Sequence, residues 1–407
     1  MDATPLGRDA RVIGLVAFGH GTSHFFHLML PPLFPWLMAD FALNFTQAGF
    51  LMSVFFVLSG VGQATAGFFV DRLGAWRVLC AGIGFLAASG LALAAAPAYA
   101  GLVAAAALAG LGNSIFHPAD FTLLNRKVSQ PRLGHAFSMH GIAGNLGWAA
   151  GAGLMAAVAG LAGWRWAGLA ASAVGFAALA AMVLGKGLLH DAPAQAPHPK
   201  AGPAASSFHF LGSTLVWMCF GFFFLTTVAF GALQNFAPSL FSHAYALTVI
   251  EATACLTAYL LGSAGGILTG GFLATRSDRH DRRIAGALAV AFLVALLLAT
   301  GAPPAWGVAP LMAAMGFGVG VAGPSRDLMV RRAAVMRAGD TAFGRIYGFV
   351  YSGFDVGLAL APVIFGRLMD DGQFSGVLYG IAGLQALAVF TALAVGGEAR
   401  RASAQTA

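Results

Sequence analysis

Twelve apolar stretches, each long enough to cross a bilayer as a helix, follow one another along the 407-residue chain. They lie near 12–37, 46–70, 77–97, 99–124, 133–158, 164–185, 210–238, 247–274, 284–302, 304–330, 341–367 and 374–396. About 20 apolar residues suffice to span the hydrocarbon core as a helix. Charged residues make up 9% of the sequence, against about 25% in soluble globular proteins. So few charges cannot cover the surface of a soluble protein of this length. A hydrophobic content of 58% excludes disorder, and three cysteines exclude a disulfide scaffold. The chain reads as an all-α membrane protein with twelve transmembrane helices, its 55 glycines letting helix backbones approach closely in lipid. Cys80, Cys219 and Cys255 all fall in apolar stretches and read as buried free thiols.

Orientation follows from the basic residues. With the N-terminus in the cytoplasm, all but three of the 22 Lys and Arg fall on cytoplasmic segments. Arg165 and Arg367 lie on the opposite face and Arg326 lies within a helix. Both termini are therefore expected in the cytoplasm. The net charge of +7 needs no nucleic-acid partner, because the short cytoplasmic loops account for it. The first stretch is too long for the core of a signal peptide and carries three histidines, so no cleavage is expected.

The longest polar interruption, from Lys186 to His209, is rich in Pro, Ala and Ser. It divides the chain into an N-terminal six-helix bundle (1–185), a cytoplasmic linker (186–209) and a C-terminal six-helix bundle with a short tail (210–407). The halves repeat. A shift of 204 residues carries Gly67 and Arg72 onto Gly271 and Arg276. A shift of 206 carries Gly110, Gly112, Pro118 and Arg126 onto Gly316, Gly318, Pro324 and Arg332. A shift of 210 carries Gly134 and Gly147 onto Gly344 and Gly357. Parallel six-helix repeats of this kind build one large class of transporters.

The loop after the second stretch reads GFFVDRLGAWR, with Gly67, Asp71, Arg72, Gly74 and Arg77. It resembles the signature loop of the major facilitator superfamily. The resemblance implies a gating role for these residues, Asp and Arg pairing across the cytoplasmic helix ends when the transporter faces outward. The second-half copy keeps Gly271 and Arg276 but has Thr275 in place of the Asp. Ser23-His24, Phe116-His117-Pro118 and Gly144-Asn145-Leu146-Gly147, within TSHFFHLML, GLGNSIFHPAD and HGIAGNLGWAAGAGL, are similar to the fosmidomycin-resistance-type branch. Antiporter members usually carry Gly-Pro in the fifth helix, where this chain has Gly151-Ala152; Ala361-Pro362 stands in the eleventh.

An ionisable residue inside a spanning helix is costly and marks a candidate site. In the superfamily the first, fourth, seventh and tenth helices line the central cavity. In the first stretch His20, His24 and His27 are spaced i, i+4, i+7, within about a 60° arc. In the fourth, Asn113, His117 and Asp120 share that spacing. The tenth holds Arg326 and Asp327, the seventh Gln234 and Asn235, and the eleventh Tyr351 and Asp355. Helical rise puts His20 about 13 Å, and Asp120 and Arg326 about 9 Å, from the cytoplasmic charge layer. A shift of 206 carries Asp120 onto Arg326, so pairing of the two is expected in one transport state.

A buried guanidinium suits a carboxylate or phosphonate. The solute expected is therefore a small organic anion or zwitterion. His20, His24, His27, Asn113, His117, Asp120, Arg326, Asp327, Tyr351, Gln234 and Asn235 are the candidate binding residues. His24, His117, Asp120 and Asp355 are the candidates for proton coupling. The chain is expected to be a proton-coupled secondary transporter of a bacterial cytoplasmic membrane, acting by alternating access as a monomer, with export favoured by the resemblance. Import of a carboxylate by proton symport, or transition-metal transport through the helix-1 histidines, are the alternatives. A membrane enzyme lacks support, since no nucleotide loop, H-E-x-x-H or G-x-S-x-G is present. No cofactor and no resident metal are expected.

Overall fold

The computed structural model describes residues 6–190, 209–274, 279–338 and 343–406, and every element among them is helical. In order these are α1 (Leu6–His27), α2 (Phe34–Phe41), α3 (Phe45–Leu73), α4 (Ala75–Ala95), α5 (Tyr99–Asn113), α6 (Phe116–Lys127), α7 (Leu133–Ala162) and α8 (Trp164–Leu184). There follow α9 (Lys186–Leu189), α10 (Thr214–Tyr245), α11 (Val249–Ala274), α12 (His280–Ala299), α13 (Ala305–Ala338), α14 (Phe343–Asp370) and α15 (Phe374–Thr406). Among the described residues, 11 helical segments are long and apolar enough to cross a membrane, with α5 and α6 forming one of them. The first span is not among these, because three histidines lower the hydropathy of α1. The all-α membrane architecture is the one expected.

Two spans are broken where continuous helices were expected. The first stretch stops at His27, and Leu28 and Met29 bond back to Phe25 and Phe26 in tight turns. A short 3-10 segment at Pro31–Leu33 then leads into α2. Consecutive prolines at 31 and 32 have no N–H to continue the ladder, so the helix cannot run through them. The fourth stretch breaks at Ser114 and Ile115, four and three residues before Pro118. The pyrrolidine ring crowds the carbonyl four residues back, which is that of Ser114.

The chain divides into two compact units, Met1–Pro197 with Thr248–Thr257, and His198–Leu247 with Ala258–Ala407. Each unit shows the same helix pairings. In the first, α1 packs on α7, α4 on α8 and α4 on α5; in the second, α10 packs on α14, α12 on α15 and α12 on α13. The matching pairs Gly110 and Gly316, Gly112 and Gly318, and Gly147 and Gly357 lie at close helix approaches, whereas Gly67, Gly134 and Gly271 have open space around them. A Cβ at Gly110 would meet the Phe55 backbone, and one at Gly316 the Tyr259 backbone. Gly147 and Gly357 likewise abut Gly21 and the Phe224–Val228 turn. In lipid such close approach is what holds helices together.

The segment expected to be linker from Lys186 opens instead with α9, which packs on α1, α6 and α8. Leu189 is fully buried there, and Lys127 Nζ donates to the His190 carbonyl at 2.6 Å. At the start of α1, the buried Asp9 carboxylate accepts from Ser129 N at 3.2 Å, Ser129 Oγ at 2.6 Å and Arg132 Nε at 2.7 Å. One carboxylate thus ties α1 to the turn between α6 and α7.

Candidate functional site

The polar residues of the first unit converge where α1 crosses α7 next to the break between α5 and α6. Close crossing is what makes room for them. Gly144, Gly147 and Gly151 share one face of α7, against α1. A Cβ at Gly144 would lie 2.8 Å from His24 Nδ1 and 3.2 Å from His20 Nε2, so the imidazoles occupy the space that a side chain would fill.

Asp120, on α6, is fully buried. His140 on α7 donates from Nε2 to its Oδ2 at 3.1 Å, and His20 Nδ1 lies 3.2 Å from the same oxygen. The His20 and His140 rings are stacked with centroids 3.4 Å apart. The cluster continues along α1. The ring of His24 lies 4.4 Å from that of His20, 4.9 Å from that of His27 and 4.3 Å from that of Trp148. The helix-1 stripe is therefore a column of three imidazoles.

Asn113 closes the other end. Its Oδ1 accepts from Ser23 Oγ and from His27 Nε2, the latter at 2.9 Å, and its Nδ2 donates to Ser59 Oγ at 2.7 Å. His117 points to α3 instead, where Nδ1 donates to Gln63 Oε1 at 2.8 Å. On an unbroken helix Asn113, His117 and Asp120 would face one partner. The break at Ser114 and Ile115 lets one span address α1, α3 and α7 at once. All six N-terminal candidates, His20, His24, His27, Asn113, His117 and Asp120, belong to this network. Asp120 is engaged by His20 and His140 of its own unit.

Sequence reasoning missed His140, Ser23, Ser59 and Gln63. The signal for His140 was present, since it opens the HGIAGNLGWAAGAGL segment, four residues before Gly144. The fifth span lies outside the first, fourth, seventh and tenth, on which most of the candidates were sought.

The second unit carries fewer of these groups. Arg326 is half-buried on α13, its guanidinium 4.7 Å from the centre of the Phe223 ring. The Tyr351 ring lies 4.7 Å from the same phenyl group, so both candidates meet at Phe223. Gln234 and Asn235 are fully buried on α10, and Asn235 Nδ2 donates to the Gly231 carbonyl at 2.7 Å. Neither amide atom of the Gln234 side chain has a hydrogen-bond partner among the described residues. Asp355 is half-buried on α14. The Asp327 side chain and Arg276 lie outside the described residues.

The loop between α3 and α4 is a tight turn. Asp71 and Arg72 stand in the last turn of α3, Gly74 makes the turn with φ of +88°, and Arg77 follows in α4. Only glycine adopts that backbone cheaply. Asp71, Arg72 and Arg77 are exposed, and a Cβ at Gly67 would meet nothing within 4 Å.

The family model for the Major Facilitator Superfamily matches residues 16–339. Among curated proteins the chain is 30% identical over 147 residues to the fosmidomycin resistance protein of Escherichia coli (strain K12), which is 36% of each chain. It is 29% identical over 182 residues to a multidrug resistance protein B homolog of Mycobacterium tuberculosis, 44% of this chain and 31% of that one. These alignments thus span about a third of the relatives' own length. Among solved structures, the nucleoside transporter NupG superposes with a TM-score of 0.77 at 13% identity, over 95% of this chain and 99% of that one. A bacterial homolog of the human lysosomal transporter Spinster gives 0.68 at 14% identity, over 97% and 96%. The chain belongs to the Major Facilitator Superfamily and is an integral membrane protein.

Proposed function

We propose that the protein exports a small organic anion or zwitterion across the bacterial cytoplasmic membrane by alternating access, in exchange for protons. Both termini lie in the cytoplasm, and two six-helix bundles in a single monomer do the work. The observation that carries this reading is the buried Asp120–His140–His20 group, a carboxylate and two imidazoles brought together from three spans. Lipid-embedded titratable groups of this kind act as proton relays in carriers. His24 and His117 extend the group toward Trp148 and Gln63. Arg326, with its rigid fork of donors, suits the anionic part of the solute. Tyr351, Gln234, Asn235 and Asp327 complete the candidate binding set, Asp355 is a further proton carrier, and Asp71, Arg72, Arg77 and Arg276 gate the cytoplasmic side. The outward direction rests on similarity to proteins named for fosmidomycin and multidrug resistance.

The test is solute flux in proteoliposomes under an imposed pH gradient, with carboxylates, phosphonates and cationic drugs as the panel. Gradient-driven movement of anions or zwitterions, lost with Arg326→Ala, is expected. Transport confined to cations and indifferent to Arg326 would overturn the assignment.

A further inference from the structure

The cluster on α1, α6 and α7 has a donor set that a proton relay does not require. Asp120 Oδ2 lies 3.2 Å from His20 Nδ1 and 3.1 Å from His140 Nε2. Tetrahedral coordination with bonds of about 2.0–2.2 Å sets ligand atoms about 3.3–3.6 Å apart. One ligand atom from each of His20, Asp120 and His140 lies within 4.8 Å of the other two. Asp120 is fully buried and His20 is 3% exposed, yet Asp120 Oδ1 and His20 Nδ1 have no hydrogen bond among the described residues. His20 Nδ1 is close to the carboxylate without the alignment of a hydrogen bond. Two acceptor-capable atoms left in that position are a second sign of a ligand, independent of the spacing.

From this geometry we propose that His20, Asp120 and His140 bind one divalent transition-metal ion. His24 and His117 form with His20 a second group of ligand atoms within 4.8 Å of one another. Two imidazoles and one carboxylate select a borderline ion such as zinc, cobalt or nickel. Calcium and magnesium need more oxygen ligands than the cluster offers. His27 belongs to neither group of ligand atoms. The site is thus not the helix-1 stripe alone but a joint between three spans. The glycines of α7 belong to it, since a side chain at Gly144 would displace the His20 and His24 rings.

The proposal rests on the reading of this cluster as a working site of the carrier, and its test stands apart from that reading. Full-length protein, purified without a histidine tag, is titrated with Co²⁺ while its visible ligand-field absorption is followed, and Zn²⁺ is then added as competitor. One ion per chain is expected, with the intense absorption of a four-coordinate site, displaced by Zn²⁺ and unaffected by Mg²⁺. His140→Ala and Asp120→Asn are expected to weaken binding by roughly tenfold or more. His135→Ala, on the exposed surface of α7, leaves it unchanged. Zinc-edge X-ray absorption of the unsubstituted protein reads the ligands even where a variant fails to fold; two imidazoles are expected in the shell. Absence of a stoichiometric ion, an all-oxygen shell, or binding that survives both variants would overturn the proposal. Solute flux in chelator-treated vesicles tests the transport reading by itself, so the two fail separately.

Discussion

His140 Nε2 donates to Asp120 Oδ2 at 3.1 Å, joining α7 to α6 through two side chains that are 6% and 0% exposed. The bond is the hinge of the polar cluster, because the same carboxylate oxygen also faces His20 on α1. A buried polar pair in lipid has no water to fall back on. His140→Ala is expected to lower stability by about 1–2 kcal/mol. Thermal unfolding in detergent reads this as a lowered Tm, and His140→Gln, whose amide still donates, recovers part of it.

The α7 glycines give a sharper packing prediction. Gly147→Ala drives a methyl group into the Gly21 backbone of α1, and overpacking of this kind costs about 1–3 kcal/mol. Gly153→Ala, on the same helix with open space around it, is expected to be neutral or to stabilise by about 0.5–1 kcal/mol. Parallel unfolding curves decide between a specific crossing and a general tolerance of small residues. Equal Tm values for the two variants would contradict the close approach of α1 and α7.

Asp9 makes the corresponding prediction at the end of α1. Its carboxylate is fully buried and accepts three hydrogen bonds, including one from Arg132. Asp9→Ala strands those donors and is expected to cost about 1–3 kcal/mol. Limited proteolysis in the turn at 128–132 checks it, with faster cleavage in the variant as the expected result.

Much of this architecture is written in the sequence, and the parts that are not have identifiable causes. Hydropathy and basic loops mark out the spans because lipid leaves the backbone few options. The repeat register was legible because glycines at helix crossings tolerate no side chain, as Gly110 and Gly316 illustrate. The breaks at Leu28 and Ser114 were less visible, since apolar runs continue across them although Pro31 and Pro118 are plain to see. His20, His24 and His27 could be grouped because helical periodicity relates them. His140 has no such relation to Asp120. Their contact depends on how three helices pack, which periodicity within one helix does not encode.

Arg326 offers a test of solute chemistry. Its guanidinium sits over Phe223 next to Tyr351, and Arg326→Lys keeps the charge while removing the planar fork. For an anionic solute the apparent KM is expected to rise roughly tenfold. An unchanged KM would remove Arg326 from the binding set.

The central claim is that Asp120 and its histidines couple solute movement to protons. Its most direct test compares two assays of Asp120→Asn in proteoliposomes, gradient-driven accumulation and solute counterflow without a gradient. Coupling through Asp120 predicts that accumulation is lost while counterflow persists, because exchange between the two sides needs no net proton. Accumulation at the unsubstituted rate in Asp120→Asn would contradict the account.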